Sequence, residues 1–202
     1  MDDAGGEILH KLKLARFDPD DIQVDDVYPT GSVNVQLDKS GAPQFDIISD
    51  VAYDYIEFIP EYHSNLIEAA EMIYFGSLIQ RSEAGCANLQ TFIAPKSLET
   101  LNFYDINLRP ACYNNAVIEK SLLAADILKL NTDELGQLKK MLSSKLSNDD
   151  FLNHLMETHS ISMVSLTKGE SGSELFTNQG CFSFKPAEAI TIADSVGAGD
   201  AY

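Results

Sequence analysis

An α/β fold built on a parallel sheet is what this sequence predicts, and three features carry that expectation. From residue 73 onward, short apolar runs alternate with longer amphipathic stretches, the rhythm of strand-helix-strand units. Hydrophobic residues make up 45% of the 202, enough for one sizeable core. After residue 166 the pattern changes to two short apolar runs, SELF and CFSF, around the turn TNQG, which reads as an antiparallel hairpin at a sheet edge.

Taken in order, the first element is an amphipathic helix in GGEILHKLKLARF, with Ile8, Leu9, Leu12 and Ala15 on one side. In GSVNVQLDKSGAPQFDII, Val33, Val35 and Leu37 alternate with Ser32, Asn34 and Gln36, so one face of a strand is apolar and the other polar. Asp38-Lys39-Ser40-Gly41 is turn chemistry, and residues 45–48 return as a second strand. Such a two-stranded ribbon is marginal in water and must lean on a core, a ligand or another subunit. Core strands are predicted at IYFGSL (73–78), FYDIN (103–107), ILKL (127–130) and ISMVSL (161–166). Helices are predicted over 87–101, 113–125, 132–143 and 150–159. No repeat, low-complexity tract or flexible linker interrupts this series.

Composition narrows the function. Thirty-one acidic against 14 basic residues give a net charge of -17, which makes a nucleic-acid backbone a poor partner. No apolar run reaches the roughly 20 residues that span a bilayer, and the acidic start MDDAGGEILHKLK lacks a signal peptide's basic region. A cytoplasmic protein without a membrane partner is expected. Cys86, Cys112 and Cys181 are widely spaced and form no CxxC pair, which points to reduced thiols. His154 and His159 are five apart, off the same-face helical spacings, and read as surface histidines. Tyr53, Tyr55, Phe58 and Tyr62 suit either a ligand cleft or packing.

The closing stretch TIADSVGAGDAY carries the chemistry. Gly197 and Gly199 allow backbone conformations in which consecutive amides point into one concavity, an anion site. A helix beginning at or after Gly199 would add its dipole. A carboxylate at Asp200 repels an anion unless it has another use, such as taking the proton from an alcohol that attacks a phosphoryl group. Spacing alone leaves that role and an ordinary first-turn acid equally open. No GxxxxGK[ST] loop occurs, and Tyr202 stands where a dinucleotide fingerprint needs its third glycine.

DSVGAGDAY resembles the C-terminal signature of the PfkB, or ribokinase-like, carbohydrate kinases: Asp, Ser or Thr, any residue, then Gly-Ala-Gly-Asp. TGSVNVQLDKSGAPQFDIISDVAYDYI, FYDINLRPACY and ADILKLNTDEL resemble segments of the family's fructokinase-like branch, in the right order. The resemblance implies a three-layer α/β/α sandwich with a small β-sheet lid, and ATP-dependent phosphorylation of a sugar hydroxyl. It divides the chain into a helix of the α/β core (1–26), a lid ribbon (27–49) and the α/β core with the nucleotide and phosphoryl-transfer motifs (50–202).

Carried over motif by motif, Asp200 resembles the catalytic base, and Gly197, Ala198 and Gly199 the anion hole for the γ-phosphate. Asp194 falls in the part of the motif that forms a monovalent-cation loop in many members, so K+ joins ATP and Mg2+ among the implied cofactors. Asn131 and Glu134 in NTDE match the family's Asn-x-x-Glu motif, which organises magnesium-bound water and phosphate. The same residues form a helix capping box, and the two readings are compatible. LTKGESG resembles the nucleotide loop, placing Thr167, Gly169 and Gly172 near ATP, although as bare sequence it is equally a strand-ending turn. Asp105, Asn107 and Arg109 in DINLRP sit at a strand end, where open α/β sheets put ligands. Arg109 would offer a guanidinium to phosphate or sugar, and a surface ion pair is the plainer alternative.

Family members begin with a strand and helix carrying a Gly-Gly sugar-binding motif, and Gly5-Gly6 does not fill that place. They also continue beyond GAGD through a helix. The sequence is therefore expected to be an internal fragment of a sugar kinase, poorly stable and weakly active alone, with apolar sheet faces and edges uncovered. A homodimer through the lid is a further family expectation. Kinases for another sugar, a sugar acid or a nucleoside, and a non-catalytic binding module retaining the lid, are the alternatives.

Overall fold

A computed structural model describes residues 1–19, 22–37, 43–94, 99–186 and 199. Its centre is a six-stranded sheet in the order β3-β4-β5-β6-β7-β8, formed by Met72–Gly76, Leu101–Asp105, Ile127–Asn131, Met163–Thr167, Ser173–Thr177 and Gly180–Phe184. The first four strands run parallel, and β7 and β8 are added antiparallel. The expected edge hairpin is this β7-β8 pair. The four predicted core strands are all present, shifted by one or two residues at their ends. A separate two-stranded sheet pairs β1 (Val33–Leu37) with β2 (Pro43–Ile47) antiparallel. The predicted turn between them lies outside the described residues.

Parallel strands need crossovers, and helices supply them: α3 (Glu83–Ile93) after β3, α4 (Asn115–Ala124) after β4, then α5 (Thr132–Met141) and α6 (Asn148–His159) before β6. Each begins on a side-chain cap, from Ser82, Asn114, Asn131 and Ser147 respectively. The helices bury Leu89, Ile118, Leu122, Leu135, Leu138 and Leu152 against strand residues such as Tyr104, Leu128 and Val164. β5 is buried at its first four positions, as a central parallel strand should be. At the other end of the order, β3 leaves Met72 and Tyr74 exposed.

Two helices lie ahead of this series. In α1 (Asp3–Leu14) no residue is fully buried, and Asp2 caps it while also accepting from the Thr30 hydroxyl and amide. These hydrogen bonds, Thr30's first, hold the Asp2 carboxyl down at about 2. α2 (Pro60–Ala69) leads into β3. The β1-β2 ribbon keeps Val33, Val35 and Phe45 about half exposed, so its apolar side stays available.

Two expectations are corrected. The helix placed over 87–101 is α3, which starts at Glu83 and ends at Ile93, leaving Leu101 to open β4. His159 is buried, not superficial: its Nδ1 lies 3.2 Å from the Leu155 carbonyl and its Nε2 3.3 Å from Glu119 Oε1. Spacing relative to His154 said nothing about which helix face packs inward.

Candidate phosphoryl-transfer site

Pleating sorts the strand residues into two faces. Tyr74, Asp105, Lys129, Asn131, Ser165 and Thr167 share one face, because Gly76 pairs with Asp105, Asp105 with Lys129, Lys129 with Ser165, and Asn131 with Thr167. Phe75, Tyr104, Leu128, Leu130, Val164 and Leu166 take the other and form core. Polar residues therefore collect on one face toward the carboxyl ends of the parallel strands, where ligands of open α/β sheets bind.

Asp105 and Lys129 form a buried ion pair there, Nζ to Oδ2 at 2.7 Å, with side chains 2% and 9% exposed. The Tyr74 hydroxyl donates to the same oxygen at 2.9 Å. Lys129 Nζ also donates to the carbonyl oxygen of Gly199 at 2.6 Å, a contact spanning 70 positions of sequence. Gly199 of the glycine motif is thus joined to β5. Sequence reasoning placed Lys129 in a strand and gave it no role. A lysine inside the otherwise apolar ILKL was the available signal.

Asn131 ends β5 and caps α5, its Oδ1 accepting from the amides of Asp133 and Glu134. Glu134 returns the bond: Oε2 accepts from the Asn131 amide at 2.8 Å, which completes the capping box. Its Oε1 accepts from the Leu108 amide at 3.0 Å, so the same carboxylate holds the loop after β4. Burial pushes the Glu134 carboxyl above its ordinary range, against these two amides, and the Asp105 charge adds to the upward push. A carboxyl with a raised folded pKa contributes stability that is full below its unfolded value, 4.5, and is lost as pH rises through the folded value. Wild-type stability relative to Glu134→Gln is therefore expected to decline as pH rises above 4.5, and urea titrations at several pH values would measure it. A relative stability that climbs with pH would contradict this.

The loop held by Glu134 carries Asn107 and Arg109. Asn107 has φ +35°, and Ala111 has φ +63°, two left-handed non-glycine residues within five positions. Arg109 is exposed and forms no ion pair among the described residues, so the plainer alternative for it finds no partner there. Thr167 closes β6 beside Asn131, and Gly169 opens a short 3-10 turn, Gly169–Ser171. Gly172 ends that turn at φ +92°, where an added Cβ would lie 2.0 Å from the Phe184 carbonyl oxygen. Gly172→Ala is expected to cost about 1–3 kcal/mol, read from the urea midpoint. An unchanged midpoint would show that the β7-β8 hairpin shifts freely.

Asp194, Gly197, Ala198 and Asp200 lie outside the described residues. Of the predicted site, the structure brings together Asn131, Glu134, Thr167 and Gly199, and it sets Asn107 and Arg109 on the loop that Glu134 holds. The aromatic group divides, and the Tyr62 side chain lies outside those described. Tyr53 and Tyr55 line a cavity of about 440 Å³ with Ile8 and Leu9 of α1, and Phe58 lines a second of about 320 Å³ with His63 and Phe92. The first cavity includes none of the strand-end residues, and the second includes Tyr74 and Gly76 of β3.

Among the described residues no helix is long and apolar enough to cross a membrane. The family model "pfkB family carbohydrate kinase" matches residues 1–202, and the chain belongs to that family. An uncharacterized sugar kinase of Pyrococcus horikoshii is 26% identical over 207 residues, covering all of this chain and 62% of the relative. Its crystal structure superposes with a TM-score of 0.79 over 99% of this chain and 62% of that one. A fructokinase of Salmonella typhimurium is 24% identical over 209 residues, covering 100% of this chain and 65% of the relative. A crystal structure of fructokinase with bound ATP from Xylella fastidiosa superposes with a TM-score of 0.85 at 19% identity, over 98% of this chain and 61% of that one. The chain thus spans somewhat over three fifths of the length of these relatives.

Proposed function

We propose that this chain carries the phosphoryl-transfer part of an ATP-dependent sugar kinase, most like a fructokinase. The observation that carries the reading is the Lys129 hydrogen bond to Gly199, which sets that residue of GAGD beside β4 and β5, the strands that lead into DINLR and NTDE. That one contact joins Gly199 to strands whose ends carry DINLR and NTDE supports a common reaction centre for the three motifs.

In this reading Asp200 takes the proton from a sugar hydroxyl as its oxygen bonds to the γ-phosphorus and the bond to the ADP oxygen breaks. The amides of Gly197, Ala198 and Gly199 stabilise the charge on the transferring group. Thr167, Gly169, Gly172 and Asn131 face the nucleotide, and Asn107 and Arg109 face phosphate or sugar. The adjacency of Thr167 and Asn131 across β5-β6 supports a shared nucleotide side.

Magnesium would neutralise charge on the phosphates. The described residues hold no group of three acidic, histidine or cysteine side chains for a metal. Both Glu134 oxygens already accept backbone amides. These residues therefore fit a magnesium held mainly by water and phosphate, with Glu134 acting through water. Asp194 is assigned to a monovalent-cation loop, and a fructokinase of Vibrio cholerae with fructose, ADP and potassium bound supports K+ as its occupant. The half-exposed Val33, Val35 and Phe45 support a lid that closes over sugar and docks against a second copy.

ADP formation with MgATP and, in turn, fructose, ribose, 2-keto-3-deoxygluconate and adenosine tests the proposal. Turnover greatest with fructose is expected. Preference for another acceptor would reassign the substrate within the family. Absence of acceptor-dependent ADP with all four, alongside intact binding of a partner through the ribbon, would favour the non-catalytic module.

A further inference from the structure

We propose that Lys129 is a positioning residue for the phosphate-holding loop, acting through the Gly199 carbonyl; this rests on the phosphoryl-transfer reading above. A buried lysine is costly, and an Asp-Lys pair in a core is commonly replaceable by apolar residues without loss of stability. Stability alone therefore gives little reason for a charged pair in the centre of β5, flanked by fully buried Leu128 and Leu130. The third contact does. Asp105 and the β-sheet register fix the ammonium in place, and the ammonium in turn fixes one carbonyl of the glycine motif.

A planar peptide moves as a unit, so holding the Gly199 carbonyl constrains the peptide group that joins Gly199 to Asp200 in the sequence. Lys129 also stands two residues before Asn131, whose side chain caps α5 and whose amide is held by Glu134. One strand therefore carries both the NTDE cap and the contact to Gly199. Asp105 Oδ1 is buried without a hydrogen-bond partner among the described residues, while Oδ2 takes both Lys129 and Tyr74. The carboxylate is turned toward orienting the ammonium at the cost of its own second oxygen.

Lys129→Met leaves a buried carboxylate unpaired and would lower stability as well as rate, so the informative comparison is with Lys129→Met/Asp105→Leu, in which an apolar pair replaces the ionic one. The double variant is expected to regain the thermal midpoint while its kcat stays about 10- to 100-fold below wild type, with the sugar KM little changed. Its amide exchange over peptides spanning residues 191–202, read by mass spectrometry, is expected to be faster than in wild type. Recovery of kcat together with the midpoint, or unchanged exchange over 191–202, would overturn the proposal and leave Lys129 a packing residue. A wild-type chain that forms no ADP with any sugar, yet whose exchange over 191–202 rises in the double variant, would overturn the kinase reading and retain the tether.

Discussion

Asp200→Asn is expected to lower sugar-dependent ADP formation by about 10²- to 10⁴-fold, with little change in the KM for either substrate. The substitution keeps shape and removes the basic oxygen. If Asp200 were only an acid in the first turn of a helix, its loss would cost about 0.3–1 kcal/mol of stability and leave the rate nearly intact. The two outcomes are separated by orders of magnitude, and the ratio to wild type is informative even where absolute turnover is low. Steady-state kinetics with MgATP and fructose gives that ratio.

The largest stability effect is expected at Arg81. Its Nε donates to Asp54 Oδ1 at 2.6 Å and its second arm to Oδ2, with side chains 10% and 7% exposed. The same guanidinium reaches the Ile48 carbonyl at 2.8 Å and lies 5.1 Å from the centre of the Tyr53 ring. It therefore joins the exit of the β1-β2 ribbon to the core. Arg81→Met removes every one of these contacts and strands a buried carboxylate, for an expected loss of about 3–5 kcal/mol. Arg81→Met/Asp54→Asn should regain a large part, since Asn still accepts from the Val51 amide that now bonds Asp54. A loss under about 1 kcal/mol in the single variant would place the pair among exposed ion pairs. Burial pushes the Asp54 carboxyl up, but the Arg81 hydrogen bond and the Val51 amide outweigh it and hold it below its ordinary 3.8. Its contribution is accordingly intact above that value and is lost as pH falls through the folded value.

Elements governed by local pattern were legible in the sequence. The alternation of Val33, Val35 and Leu37 gave β1, and Asn131 with Glu134 gave both the capping box and the start of α5. The start of α3 was not legible, because Gly85 in its first turn reads as a breaker. In the fold, a Cβ at Gly85 would meet the Ile79 carbonyl at 2.3 Å, so glycine is what lets the helix approach, and the Ser82 hydroxyl caps it. Pro95, two residues beyond Ile93, was the overlooked stop signal. The candidate site divides the same way. NTDE and GAGD were found as contiguous motifs, whereas Lys129 draws its meaning from partners 24 and 70 positions away, which no local pattern encodes. The second duty of Glu134, holding the Leu108 amide, is likewise a contact across 26 positions.

The central claim proposed is that the ends of β4 and β5, with Gly199 tied to β5, belong to a site that transfers the terminal phosphoryl group of ATP to a sugar. Incubation of the chain with magnesium and ATP labelled at the γ-phosphate, in the presence and absence of fructose, measures this most directly. The account expects label to appear in a fructose phosphate, in wild type and not in Asp200→Asn. Label released only as inorganic phosphate, or sugar labelling that persists equally in Asp200→Asn, would contradict it.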